Sequence, residues 1–534
     1  FTMARPTHQF QTTKRAEIPR SSFDLSHNLK TTFDAGLIVP ILSLEVLPGD
    51  TINLRASLFG RLATPIKPIL DNMYMETFFF FTPWRQVWNN FIRMMGERTD
   101  PADSIDFVIP RLSGSPIAQG DVGDYLGIPP GTDPDDVVIS ALPFRAHNHV
   151  YNNWFRDQNL IDSLNVLRGD GPDPMGSEGY TTLRRRRKRK DYLTAGLPWP
   201  QKGEAVNISV GGFAPVIPGP DSLTDFPVFT NGAGTQTSGL LEQATLNVAL
   251  QNTVGGAATL LHWSDATGLR TDLGAATGFT INDLRESFQI QKLLERDARS
   301  GTRFPEILQS HFGVIDPLML VHERPLFLGG GSSMINITPV QQTSGTAGDG
   351  GYTDTVQGNL AAYGTVSGSG HGFTQSFTEH GLILGYVNVR ADLTYQQGLE
   401  RYWSRQTRYD FFWPVLSHLG EQAVLNKEIY ISNDPLIDDD VFAYMPRYDE
   451  YRYKPSQITG AFRSSATASL DVWHLAQDFA SLPTLNKNFI EDNPPIDRVV
   501  AVPAEPDFLL DVYFKIRAAR PLPLYGTPGL IDHF

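Results

Sequence analysis

The sequence predicts a mainly β fold of antiparallel, Greek-key type. Three observations predict it. Short β-rich runs recur near both ends and in the middle of the 534-residue chain. They are bounded by Pro and Gly turns and do not alternate with helices in a βαβ rhythm. Gly (47) and Pro (38) are abundant, which suits long connecting loops.

The strands follow in order. GLIVPILSLEVLPGDTINLRASLF (36–59) holds two apolar runs around a Pro-Gly-Asp turn, so two strands are expected. MYMETFFFF (73–81) is too short for its own helix and ends at Pro83. HGLILGYVNVRADLTY (380–395) is a further strand, with Leu382, Leu384, Tyr386, Val387 and Val389 apolar. In DFLLDVYFKIRAARPLP (507–523), Leu509, Val512, Phe514 and Ile516 suggest one buried face. Two helices are expected among them. Trp84, Val87, Trp88, Phe91, Ile92 and Met95 have helical spacing up to Gly96. NDLRESFQIQKLLERDARSG (282–301) opens on Asp283 with Glu286 three residues on, and ends at Gly301.

This gives a domain plan. Residues 1–35 form an extended arm. Residues 36–202 hold the first part of the β fold. Residues 203–281 are an inserted surface domain, 282–328 a helical segment, 329–372 a Gly/Ser-rich loop insertion, and 373–534 the C-terminal part of the β fold. Neither Gly-rich stretch reads as a series of core strands.

Composition narrows the function. Charged residues are 19% and aromatics 11%, with 32 Phe. Average proteins carry about 25% charged residues, and interface cores lose charge and gain aromatics. A surface largely covered by neighbours is the reading. Cysteine is absent, which excludes disulfides, thiolate zinc sites and a Cys nucleophile. No window approaches eighteen consecutive apolar residues, so no transmembrane helix is expected.

Catalytic patterns are missing: there is no HExxH, GxSxG or GxxxxGK[ST]. The chain is expected not to be an enzyme and to need no cofactor. His147 and His149 in HNH would share a face on a strand and could ligate a metal there. Two packed histidines are the plainer reading. Asp438, Asp439 and Asp440 are weak candidates for Ca²⁺, without the spacing of a calcium loop.

One motif stands against the acidic background. The net charge is −14, yet residues 184–190 read RRRRKRK; those seven cations set aside, the rest of the chain carries −21. Packed side by side, such cations need counterions or phosphate. The candidate nucleic-acid contacts are therefore Arg184, Arg185, Arg186, Arg187, Lys188, Arg189 and Lys190. The run has no interleaved aromatics, so it would read phosphate and not base, although Tyr192 just beyond it could stack. Arg5, Lys14 and Arg15 in the arm are secondary candidates.

Three stretches resemble one family. FDLSHNLKTTFDAGLIVPILSLEVLPGDTINLRASLFGRLATPIKPILDNMYMETFFFFTPWR (23–85), LPWPQKG (197–203) and LLERDARSGTRFPEILQSHFGV (293–314) are similar to the major capsid proteins of the Microviridae, small single-stranded DNA phages, and most of all to the gokushovirus group. The resemblance runs from about residue 20 to the C-terminus. It implies an eight-stranded antiparallel jelly roll with long insertion loops and a few short helices. It implies a virion location, synthesis in the bacterial cytoplasm, and sixty copies in a T=1 shell around circular ssDNA. An internal scaffolding protein, a DNA pilot protein, a small basic DNA-binding protein and a host-cell receptor are its implied partners. One insertion is implied to project at each three-fold axis, and 203–281 is the candidate by position. Basic residues before the DY element belong to the family pattern, but a run of seven departs from it. The rival reading is a carbohydrate-binding jelly-roll lectin, with Trp263 stacking on a sugar; in the capsid reading Trp263 is the candidate receptor contact.

Overall fold

The computed structural model describes residues 18–206, 280–315, 317, 322–344 and 357–525, and the backbone of seven short strands within 216–271. The chain forms two compact units, one of residues 1–200 with 300–534 and one of 201–299.

A curled antiparallel sheet dominates the first unit. Its strands are β1 (Ser21–Asp24), β2 (His27–Phe33), β3 (Val39–Val46), β4 (Thr51–Leu62), β5 (Met73–Pro83), β6 (Leu326–Met334), β7 (Asn336–Gln341), β8 (Leu360–Ser376), β9 (Gly381–Ala391) and β10 (Phe508–Arg520). Eight follow one path, β1-β10-β4-β8-β6-β5-β9-β3, while β7 adds to β8 and β2 to β10. This is the jelly-roll class, with two strands beyond the expected eight.

Each half of the sheet follows from its residue pattern. In β4, TINLRASLFGRL alternates buried and exposed along its length, and β10 does the same from Phe508 to Ala518. Ile52, Leu54, Ala56 and Leu58 therefore face Val512, Phe514 and Ile516 in one core, and the other side of these strands meets water. β9 is buried on both faces. Its inner residues Ile383, Val387 and Val389 join the first core. Its outer residues Leu382, Leu384 and Tyr386 join Phe80, Trp84, Trp88, Ala146, Val150 and Phe155 in a second core. The helix Leu142–Val150 supplies that outer cover.

Residues 329–372 are not simply a loop insertion. Much of the stretch is strand: β6, β7 and most of β8. The two halves of the sheet meet at a single pair, Gly330 opposite Gly372. A Cβ on Gly330 would collide with the Thr77 carbonyl oxygen, and one on Gly372 with that of Leu54. Small residues here permit close crossing of backbones at the corner of the barrel, a use of glycine that composition alone reads as a loop.

Other expectations shift in detail. Within the described part of the arm, β1 and β2 pair with β10. The helix expected over 84–96 is two turns, Trp84–Val87 and Phe91–Met94. Trp88 breaks it with extended dihedrals, so that its fully buried indole donates to Asp170 Oδ1 at 2.8 Å. The long helix spans Ile281–Ser300 and is capped one turn earlier than expected, by Thr280 and Asp283 in reciprocal hydrogen bonds. A further helix, Phe304–Phe312, ends on Gly313 at φ 70°.

Candidate functional site

The basic run is an extended segment held by isolated bridges, Arg185 to Leu37 and Arg187 to Glu491. Ile38 N donates to Arg184 O, and Arg186 N to Gly36 O. On the other edge Asp492 N donates to Arg186 O, and Lys188 N to Ile490 O. The run is thus held between residues 36–38 and 490–492, across the outer face of β5 and β9.

Alternation in β5 puts Glu76 on the same side as Phe78 and Phe80, toward this run. Glu76 is 7% exposed. It pairs with Arg186 Nη1 at 2.5 Å and with Arg390 of β9, and Arg189 lies 4.0 Å away. Arg186 also sits 4.9 Å over the Phe78 ring. Arg184 pairs with Glu178 at 2.7 Å, and Lys190 with Asp157 at 2.5 Å. Arg185 donates to the Ala35 and Asp492 carbonyls. Lys188 is buried, with its ammonium 4.6 Å from the Phe489 ring centroid.

Burial outweighs attraction at the two deepest charges, Lys188 and Asp492. It pushes Lys188 down to about 8, against the pull of Asp492 and Asp191. It pushes Asp492 up to about 6, against Lys188 and three arginines. Acids of the same subunit lie within 4 Å of four of the seven cations, Arg184, Arg186, Arg189 and Lys190. Arg189 retains the most open side chain among the ion-paired members, at 54% exposed. Tyr192 is engaged as well, stacked on Tyr453 and donating to Glu428 Oε2 at 2.8 Å. Sequence reasoning missed Glu76, a lone acid inside an aromatic strand, which was the available signal.

Other candidates separate. His147 and His149 lie in the helix Leu142–Val150, where two residues turn through about 200°, so they do not share a face. Burial, with Arg184 near one and Arg168 near the other, lowers both to about 4 and keeps them neutral. His147 Nδ1 contacts Tyr386 Oη at 3.2 Å. Asp438 accepts from Ser432 N, Ser432 Oγ and Asn433 N, Asp439 pairs with Lys427, and Asp440 accepts from Val441 N. The three carboxylates turn to different partners. Trp263 lies in a two-residue strand whose backbone pairs with Phe229–Thr230. Its side chain, and Arg5, Lys14 and Arg15, lie outside the described residues. So does most of 203–281.

An exposed aromatic surface lies among the residues after β9. Residues 401–416 run through three short 3₁₀ turns. They leave Trp403 66% exposed, Tyr409 61%, Phe411 54% and Phe412 50%. Arg405 lies over the rings of Phe411 and Tyr451, and Arg408 over Tyr409 and Trp413. Monomeric proteins rarely leave so much apolar surface in one place. Among the described residues, no helix is long and apolar enough to cross a membrane.

Comparison with known proteins agrees on one description. A family model described as "Capsid protein (F protein)" matches residues 9–530. The chain is 44% identical to "Capsid protein VP1" of Bdellovibrio phage phiMH2K, covering 99% of this chain and 98% of that one. It is 39% identical to "Capsid protein VP1" of Chlamydia phage 1, over 98% of each chain. It is 35% identical to "Capsid protein VP1" of Spiroplasma virus 4, over 98% of this chain and 97% of the other.

Proposed function

The chain belongs to the phage F-protein capsid family, a structural protein of the virion shell and not an enzyme, and from that premise we propose that sixty copies close a T=1 icosahedral shell around circular single-stranded DNA. The observation that carries the assembly half is the aromatic surface at 402–413, where Trp403, Tyr409, Phe411 and Phe412 are at least half exposed in one subunit. A second copy is its proposed occupant. Aromatic and Arg side chains dominate the energy of such contacts, and many modest interfaces related by symmetry close a shell.

The helix Ile281–Ser300 supports the same reading from the second unit, with Phe288 64% and Leu293 51% exposed. The insertion within 203–281 is proposed to carry host attachment, a role that suits loops held on a rigid scaffold. The test pairs Trp403→Ser with Trp413→Ser. The doubly substituted subunit is expected to fold and to stay unassembled at concentrations where the parent chain forms shells. Hot-spot residues contribute at least about 2 kcal/mol each, about thirtyfold in concentration per contact. Shells forming at the parent concentration would refute the placement.

A further inference from the structure

The basic run is largely neutralised inside its own subunit, so the genome contact of the proposed function calls for cations elsewhere. The solvent-facing side of the half-sheet β2-β10-β4-β8 supplies them. In β4 the exposed positions include Arg55, Phe59 and Arg61; in β10 they include Tyr513, Lys515 and Arg517. Among the described residues, none of Arg55, Arg61, Lys515 and Arg517 forms an ion pair within 4 Å. Phe59 is 57% exposed and Tyr513 47%.

The register arranges these side chains in rows. Lys515 lies directly opposite Arg55, Tyr513 opposite Ser57, Asp511 opposite Phe59, and Leu509 opposite Arg61. Like charges opposite one another destabilise a sheet, so the Lys515/Arg55 pair costs the fold unless an anion bridges it. On the far side, β8 sets Ser369, Ser367 and Thr365 beside Ser57, Phe59 and Arg61, which leaves the ring and the guanidinium uncovered. Two acids share the face. Asp511 pairs with Lys30 at 3.5 Å. The Asp24 carboxyl is held low by hydrogen bonds from Ser26 and by the nearby Arg517 and Lys515. A hollow of about 890 Å³ opens at one end of the face, between Phe59, Arg61, Lys30, Leu509 and Tyr125, with Asp124 and Asp511 on its rim.

We propose that this sheet face is the surface on which the subunit carries single-stranded nucleic acid, with Arg55, Arg61, Lys515 and Arg517 on phosphates and Phe59 and Tyr513 stacked on bases. The inference rests on the genome-enclosing reading above and gives it an address. Cations interleaved with exposed rings are the chemistry of sequence-tolerant single-strand binding: phosphates meet the charges, and any base offers a π-face to the rings. The run at 184–190 has the charges without the rings.

The test has two arms. In particles of the full-length chain, ultraviolet crosslinking followed by peptide mass spectrometry is expected to place nucleotide adducts on the peptides holding Phe59 and Tyr513. With unassembled subunit and an oligo(dT) probe, R55Q/R61Q/K515Q/R517Q is expected to flatten the log–log salt slope by about 2.8, since each single-strand phosphate contact contributes about 0.7. F59S/Y513S is expected to weaken binding by about 5- to 150-fold per ring at unchanged slope. DNA-filled particles whose adducts fall elsewhere, with an unchanged slope in the fourfold variant, overturn the address and leave enclosure standing. Adducts absent from this face and a fourfold variant that folds but does not assemble make it a subunit contact, which also overturns the proposal. Particles that form without DNA refute enclosure, and the oligo(dT) arm then judges the face by itself.

Discussion

Glu76→Gln is the sharpest test of how the basic run is held. The Glu76 side chain is 9% exposed and meets Arg186 and Arg390, whose side chains are 20% and 10% exposed. The substitution keeps shape and one acceptor but removes the charge, leaving two cations in a site walled by Phe78 and Phe155. Breaking a buried pair from one side costs about 3–5 kcal/mol, because the partner stays charged and desolvated. Part of Arg186 reaches solvent, so about 3 kcal/mol is the expected loss. Denaturant unfolding of the unassembled subunit measures it as a lower midpoint at unchanged slope. A double-mutant cycle with Arg186→Gln should return a coupling of at least about 1 kcal/mol. A loss below about 1 kcal/mol with no coupling would refute the account of the run as neutralised by acids of its own subunit.

Further predictions extend to other elements. Gly330→Ala should destabilise the first unit by about 3 kcal/mol in the same assay, since the added methyl meets backbone and not a yielding side chain. Gly370, with open space around its missing Cβ but φ 81°, should cost about 1 kcal/mol on change to Ala. Asp492 is pushed up to about 6 in the fold, from 3.8, by burial. Its contribution is full below about pH 4 and lost as pH rises through 6. Asp492→Asn should therefore gain stability relative to the parent chain between pH 4 and 7; a difference flat across that window would contradict it.

The sequence made the strands legible where alternation or a continuous apolar run carried the signal, as in β4, β9 and β10. The motifs of 23–85 and 293–314 pointed to the family. Long-range pairing was not legible. Nothing local in RRRRKRK says that Glu76, more than one hundred residues earlier, neutralises it. The glycines of β6 and β8 are small because Thr77 and Leu54 carbonyls pass close by, a constraint set by the tertiary crossing alone. Trp88 has a helical position and helical neighbours, yet the hydrogen bond to Asp170 turns it out of the helix. The sheet face proposed to meet nucleic acid was half visible as alternation in two strands. Only the register set Arg55 beside Lys515.

Sedimentation of assembled material, with absorbance read at two wavelengths, tests the central claim most directly. At 59.3 kDa per chain, sixty copies give a closed shell with about 3.6 MDa of protein, and DNA adds a nucleic-acid absorbance to the same boundary. The account predicts that single DNA-bearing species. A small oligomer that never closes, even with a scaffolding partner supplied, would contradict it.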